Sequence, residues 1–261
     1  MYKRILAIGD IHGEYDKLVD LYAKIDFNPP DDLLVFLGDY MDRGPKPVHV
    51  LGWMLKNRNN PHIMMLRGNH DQMMLDHYER KERERLLAEG KLLANCLDDL
   101  AAAPNQSGDY RDDWLCNGGG VTKKELKRFA ARLAEKRGIP ERRTMAAILR
   151  FIGGLPLFHR VEVGGRTYFF CHAGIDPDKP LDLQDPDDLL WIREAFIFHY
   201  TGSPMVVSGH TVVGGIRSLL GMEAKLWPII QDNMILADTG ACYSGPLSCV
   251  DVLNGRVWQS G

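Results

Sequence analysis

Five short blocks of this 261-residue chain carry side chains that coordinate metal ions or grip phosphate, and each stands at the end of an apolar run. They supply Asp10 and His12; Asp39, Asp42 and Arg43; Asn69 and His70; His172; and His210. Carboxylate, imidazole and amide oxygen, without thiolate, form a borderline-to-hard donor set suited to Mn²⁺, Fe²⁺ or Zn²⁺. There are enough ligands for two ions sharing one carboxylate. Two such ions a few ångströms apart can hold a bridging hydroxide at neutral pH and clamp the attacking and leaving oxygens of an in-line phosphoryl displacement. A lone Asp-x-His in a loop is ordinarily a solvated polar loop. Five such blocks on strand ends argue for a site.

The elements that must position these residues show a period. Ile5–Ile8, Leu33–Leu37 and Ile63–Leu66 are apolar runs leading into Gly9-Asp10, Gly38-Asp39 and Gly68-Asn69, at spacings of 29 and 30 residues. Between them Tyr15, Leu18, Val19, Tyr22 and Ile25 fall on one helical face, as do Val48, Leu51 and Leu55. The pattern is βαβαβ, so the strands are expected to be parallel, with their polar loops together at the carboxyl ends, where open α/β sheets bind ligands. A mainly helical insertion is expected at about 72–152. Within it Thr122 and Glu125 have capping-box spacing, Leu126, Phe129 and Leu133 stripe one helix, and Met145, Ile148, Leu149 and Ile152 stripe the next. Lys123 to Arg150 holds ten basic and three acidic residues, a local +7. That stretch reads as a solvated helical face, although it leaves the sheet beside a ligand loop and could overhang the site. Beyond it, Leu157–Val163 and Thr167–Cys171 read as a hairpin and Asp188–His199 as a helix. Strands are expected at Met205–Ser208, Met234–Ala237, Leu247–Leu253 and Arg256–Gln259. Parallel strands followed by a mostly antiparallel second half suggest an α/β protein of two sheets packed face to face, with helices outside.

Composition narrows the class. Hydrophobic residues at 45% and charged residues at 26% are the proportions of a soluble globular protein. A net charge of −3 gives no argument for a nucleic-acid or membrane partner. No run approaches the roughly 18 apolar residues of a membrane span, and Ile5–Ile8 is too short for a signal-peptide core. The expectation is a cytoplasmic protein. The five cysteines (96, 116, 171, 242 and 249) include no CxxC pair, which fits reduced thiols better than disulfides or a zinc site.

Gly9-Asp10-Ile11-His12-Gly13, Gly38-Asp39-Tyr40-Met41-Asp42-Arg43-Gly44 and Arg67-Gly68-Asn69-His70-Asp71 resemble the three signature blocks of the phosphoprotein phosphatase family of metallophosphoesterases. Cys171-His172-Ala173-Gly174 and Ser208-Gly209-His210-Thr211 resemble its two remaining ligand blocks. Gln72-Met73-Met74, Trp114–Gly120, Trp191-Ile192-Arg193-Glu194 and Asp238-Thr239-Gly240-Ala241 are similar to the bacteriophage lambda and bacterial branch of serine/threonine phosphatases. The resemblance implies a calcineurin-like fold of two mixed sheets flanked by helices (α/β/β/α), with residues 1–261 as one domain. It implies that Asp10, His12 and Asp39 hold one divalent ion, and that Asp39, Asn69, His172 and His210 hold a second, Mn²⁺ before Fe²⁺ or Zn²⁺. Arg43, Arg193 and Asn69 would bind the phosphate, and His70, oriented by Asp42, would protonate the leaving oxygen. A metal-bridging hydroxide would attack, so no protein nucleophile is needed. The implied substrate is a phosphoprotein or another phosphate ester, with no nucleic-acid or membrane partner expected. A symmetrical dinucleoside-tetraphosphate hydrolase is the alternative, although its second block typically has Ala where this chain has Asp42. Asp71 stands where nucleotide-cleaving relatives have Asp and many eukaryotic members Glu. A phosphoprotein-binding pseudophosphatase is a more distant alternative, against which every matched catalytic position is filled. Tyr243 stands where some members keep an active-site tyrosine, while His159 and His199 read as ordinary histidines.

Overall fold

The computed structural model describes residues 2–89 and 114–261. Its layers follow from strand alternation, because successive side chains of a strand point to opposite faces. In β1 (Arg4–Ile8) and β2 (Asp32–Phe36), Ile5, Ala7, Leu33 and Val35 meet Tyr168, Phe170, Met205, Val207 and Ile235 in a core between two sheets. Leu6, Ile8, Leu34 and Phe36 point the other way, onto Leu18 and Leu21 of α1 (Tyr15–Ile25) and Val50, Leu51 and Met54 of α2 (Pro47–Asn57). A third core sets Phe169, Cys171, Val206 and Leu236 of the other sheet against Leu189, Phe196 and Val213. Helices, sheet, sheet and helices therefore stack in the α/β/β/α order.

One sheet has the order β10 (Val257–Gln259), β9 (Ser248–Asp251), β1, β2, β3 (Ile63–Met65). The other has the order β4 (Phe158–Val163), β5 (Arg166–Cys171), β6 (Met205–Ser208), β8 (Met234–Leu236), β7 (Ile229–Ile230). β1, β2 and β3 are parallel, as their period requires. The second half is mostly antiparallel, as expected, in the pairs β4–β5, β7–β8, β9–β1 and β9–β10, but its centre differs: β5, β6 and β8 are parallel, and β9 and β10 return to the first sheet. The reason lies in the connections. Helices α6 (Pro186–Trp191) and α7 (Glu194–His199) lie between β5 and β6, and α8 (Val213–Leu219) between β6 and β8, giving the crossovers that parallel pairing needs. The helix expected over Asp188–His199 is thus two six-residue helices, broken where the Arg193 backbone leaves helical space (φ −133°, ψ −91°).

The described part of the insertion is helical: α3 (Asn69–Ala88), a wide turn at Leu115–Gly119, α4 (Gly120–Arg137) and α5 (Glu141–Gly153). The stretch 90–113, with Cys96, lies outside the described residues. Because α4 begins at Gly120, Thr122 sits inside the helix and forms no capping box; its hydroxyl accepts the Asp42 N–H instead (2.8 Å). Val19 is 46% exposed, and Leu21 takes its place on the buried face of α1. Cysteines 116, 171, 242 and 249 are free thiols. Among the described residues no helix is long and apolar enough to cross a membrane.

The glycines that end the strands let the loops converge. A Cβ at Gly68 would lie 2.1 Å from Asp39 Oδ1 and 2.4 Å from the Asp39 amide nitrogen, and one at Gly209 would lie 2.2 Å from Asp10 Oδ1. Gly68→Ala is therefore expected to lose about 1–3 kcal/mol in urea denaturation through overpacking. Gly52→Ala is its control, since a Cβ there meets nothing within 4 Å and helix propensity should favour it by about 0.5–1 kcal/mol. Equal effects at the two positions would contradict the close approach.

Candidate active site

The loops after β1, β2 and β6 hold their side chains through backbone that L-residues avoid. His12 (φ 45°), Asp39 (φ 54°), Asp42 (φ 71°), Arg43 (φ 62°) and His210 (φ 61°) all lie in the left-handed region. Each such residue costs on the order of 1 kcal/mol and persists only where its surroundings over-determine it. Here the loops are laced together: the Ile11 and His12 amides donate to the Asp39 carbonyl (3.1 and 2.8 Å), and the Gly44 amide donates to that of His12 (3.0 Å). Asp71, fully buried, accepts the Gly68 and Asp39 amides on one carboxylate oxygen (2.9 and 3.0 Å). It ties two of the loops together and does not face the cavity.

Asp39 is the centre of the arrangement. Its Oδ2 lies 3.4 Å from His12 Nε2 and 3.5 Å from His172 Nε2, and its Oδ1 accepts the His70 amide (2.9 Å). Asp10 Oδ2 lies 4.0 Å from His12 Nε2, while Asp10 Oδ1 accepts the His210 amide (3.0 Å). Asn69 Oδ1 faces two imidazoles, His172 Nε2 at 2.7 Å and His210 Nδ1 at 3.0 Å. His70 Nδ1 pairs with Asp42 Oδ2 (2.9 Å), and that oxygen also accepts the indole N–H of buried Trp114 (2.7 Å). The Arg43 fork spans His12 Nε2 and His70 Nε2, each at 2.8 Å. Arg193 Nη1 donates to the His210 carbonyl and the Thr211 hydroxyl across the same opening. All ten side chains singled out in the sequence are therefore brought to one place. A cavity of about 560 Å³ opens above them, its walls including Asn117, Trp191, Asp238 and Tyr243. His159 and His199 are not among its lining residues.

Burial dominates the electrostatics. It raises the carboxyls of Asp10 and Asp39 well above the usual range, and neighbouring acids, Asp238 for Asp10 and Asp71 for Asp39, add to the rise. Asp42 is pushed up to about 6, Asp71 to about 7 and Asp238 to about 6, again by burial first. The imidazoles move the other way: burial lowers His12, His70 and His210, and takes His172 to about 3. The Cys242 thiol beside Arg43 is pushed up to about 11 by burial, so it offers no thiolate nucleophile.

The donor set fits divalent cations on two counts. His12 Nδ1 faces the Met41 carbonyl (2.9 Å) and His172 Nδ1 the Leu37 carbonyl (2.8 Å). Such bonds fix the tautomer and leave each Nε2 lone pair facing the carboxylates, the outer arrangement usual for metal-binding histidines. Secondly, two compact clusters, Asp10-Asp39-His172 and His12-Asp39-His70, share Asp39. Buried acids gathered this closely repel one another, and a cation among them relieves that repulsion.

Several residues at the site were not singled out for it from sequence. Asp238 lines the cavity beside Asp10, with its Oδ1 on the Gly240 amide (2.9 Å). It carries the signal used elsewhere, an acid directly after an apolar strand, but its neighbour Asp10 is 228 residues away and in the other sheet. Trp114 and Thr122 support Asp42 from the insertion, which no local pattern could announce. The insertion reaches the cavity through Asn117. None of the basic residues of α4 is among the lining residues, so the expected overhang is not formed by that helix, and Lys123 turns inward toward His77 (3.3 Å).

Residues 3–224 match the family model of the calcineurin-like phosphoesterases. The chain is 36% identical to serine/threonine-protein phosphatase 1 of Salmonella typhimurium over 253 residues, which cover 95% of this chain and 91% of the relative. It is 41% identical to a symmetrical bis(5'-nucleosyl)-tetraphosphatase of Chromobacterium violaceum, over 71 residues that cover 27% of this chain and 25% of that one. A solved structure of a candidate diadenosine tetraphosphatase shares the fold, with a TM-score of 0.58 at 19% identity, covering 99% of this chain and 95% of the other.

The burial of these acids yields a prediction. Asp238 has a folded-state pKa of about 6, above its ordinary 3.8, so its charged form destabilises the folded protein. That destabilisation grows from about pH 4 to pH 6 and is complete above. In excess chelator, Asp238→Asn is expected to be more stable than the parent by on the order of 1–3 kcal/mol at pH 7, with the gain vanishing near pH 4. Urea denaturation at the two pH values reads it directly; an unchanged or opposite pH trend would contradict the burial of a charged Asp238.

Proposed function

Because the chain belongs to the calcineurin-like phosphoesterases, we propose that it is a dimetal-dependent phosphomonoester hydrolase, acting as a protein serine/threonine phosphatase of the bacterial type. The observation that carries this reading is the Asp42–His70 pair, set beside Asp39 and under the Arg43 fork. Asp10, His12 and Asp39 would hold one ion, and Asp39, Asn69, His172 and His210 the other. The oxygen and nitrogen donors suit Mn²⁺, Fe²⁺ or Zn²⁺, and the resemblance to the phosphoprotein phosphatases puts Mn²⁺ first. When bound, the ions supply an activated water at neutral pH and offset the charge of the phosphoryl group.

The chain's own residues do the rest. Arg43 and Arg193 grip the phosphate oxygens with planar guanidinium groups, and Asn69 donates its amide to the same group. His70 gives its Nε2 proton to the ester oxygen as the P–O bond breaks, so the alcohol leaves neutral. Asp42 holds His70 by Nδ1 and stabilises the imidazolium. The free site disfavours that proton, because burial, Arg43 and Arg193 all lower His70. A phosphate dianion between the two arginines offsets their repulsion, so the acid is charged when substrate is present.

The tetraphosphatase is the second reading, favoured by the short 41% likeness. Asp42 speaks against it: that group typically has Ala there, whereas this Asp42 is held by Trp114 and Thr122 and orients His70. Asp71 does not bear on the choice, since it faces loop backbone. Measuring kcat/KM side by side on phosphoserine peptides, diadenosine tetraphosphate and a generic aryl phosphate, with Mn²⁺ supplied, decides between them. A preference for the dinucleotide would overturn the phosphatase reading.

Chelation is expected to abolish turnover and Mn²⁺ to restore it; full activity after metal removal verified by elemental analysis would refute the mechanism. His70→Asn should lower kcat on phosphoserine by about 10²–10⁴ but far less on activated aryl phosphates, whose leaving oxygen needs no proton. Both ions should stay bound in that variant. Equal losses on the two ester types, or loss of metal, would make His70 a ligand or a structural residue.

A further inference from the structure

A second cavity, of about 420 Å³, lies between α1, α2 and α4, lined by Tyr15, His49, Trp53 and Phe129 with two cations, Lys56 and Arg132, and one acid, Glu125, which is paired with Arg128. The helices that form it start at the site: Tyr15 follows His12 by three residues, Pro47 follows Arg43 by four, and Gly120 follows Asn117 by three. The groove therefore leads away from the catalytic opening. Along α4 beside it, Lys124, Arg128, Arg132 and Lys136 recur every fourth residue, all exposed. Arg128 pairs with Glu125 (2.7 Å), whereas Lys124, Arg132 and Lys136 make no ion pair among the described residues. A solvated face would account for the charge alone. It does not account for aromatic rings and an unpaired arginine lining one groove.

We propose that this groove docks an acidic peptide segment with one apolar anchor, carried in the sequence flanking the phosphorylated residue; this rests on the protein-phosphatase reading. The anchor enters among Trp53, Phe129 and Tyr15, and its neighbouring acids meet Arg132 and the row on α4. Phe129 is nine residues into α4 from Gly120, about 14 Å along the axis. An extended peptide rises about 3.3 Å per residue, which puts the anchor roughly four to six residues from the phosphoresidue. Screened attraction to the row acts on encounter and binding, so it enters KM and leaves kcat alone.

Two variants of the full chain test this. Gly52→Phe fills the groove without removing a contact, since Gly52 lines it and a Cβ there meets nothing within 4 Å. The second combines Lys124→Glu, Arg132→Glu and Lys136→Glu. For a phosphoserine peptide with acids and a leucine five residues away, each variant should raise KM about tenfold at low salt with kcat unchanged. Aryl-phosphate turnover should stay at the parent level, which also reports folding. High salt, acid-to-glutamine peptides, or serine in place of the leucine should each remove most of the parent's advantage. Fluorescence anisotropy of the same peptide without phosphate separates the two proposals. Binding lost in both variants supports the groove even if the phosphopeptide is not hydrolysed, in which case the phosphatase reading fails instead. No binding, binding that Gly52→Phe leaves intact, or displacement by a single-stranded oligonucleotide as readily as by unlabelled peptide would overturn the docking proposal.

Discussion

A buried carboxylate between two imidazoles is the interaction on which the rest of the site depends. Asp39 Oδ2 is within 3.5 Å of both His12 and His172, with Asp10 close by, and all four groups are buried. Such a cluster is unfavourable on its own terms: burial pushes its acids up and its imidazoles down. It is tolerated because two sheets and five loops hold it, and because cations can relieve it. A folded state that gathers like charges loses stability to keep a binding site ready, the usual exchange at functional sites.

The scaffold answers that constraint in kind. Strand-end glycines allow loops from different strands to touch, and the left-handed backbone at His12, Asp39, Asp42, Arg43 and His210 turns their side chains toward one point. Asp71 and the backbone bonds between loops lock that geometry. The insertion contributes as well. Its Trp114 and Thr122 close over Asp42, so a segment outside the sheets fixes the partner of His70. The same helices that begin at these loops carry the aromatic groove and the basic row.

Much of this was legible in the chain. Apolar runs ending in Gly-Asp, Gly-Asp and Gly-Asn at a near-constant period define three parallel strands with metal-type donor side chains at their carboxyl ends, since strand alternation and crossover length leave little freedom. The donor types define the ions they suit, because ligand hardness is a property of the side chain and not of the fold. Candidate site residues on local blocks are legible because their spacing is local: Asp10 and His12, or Asp39, Asp42 and Arg43, lie within a few residues of one another.

What only the tertiary structure decided are relations between distant segments. The parallel order of β5, β6 and β8 and the return of β9 and β10 to the first sheet rest on pairing across the chain, which short apolar strands do not encode singly. Thr122 looked like a helix cap because its spacing to Glu125 is local, yet its hydroxyl serves Asp42, 80 residues away. Asp238 shows the same limit: an acid after a strand is visible in sequence, but its place beside Asp10 is set by packing one sheet on the other. Local periodicity and donor chemistry are written in neighbouring residues. The protonation of the acids, the support of His70 and the groove between α1, α2 and α4 arise from burial and contact, which exist only once the chain has folded.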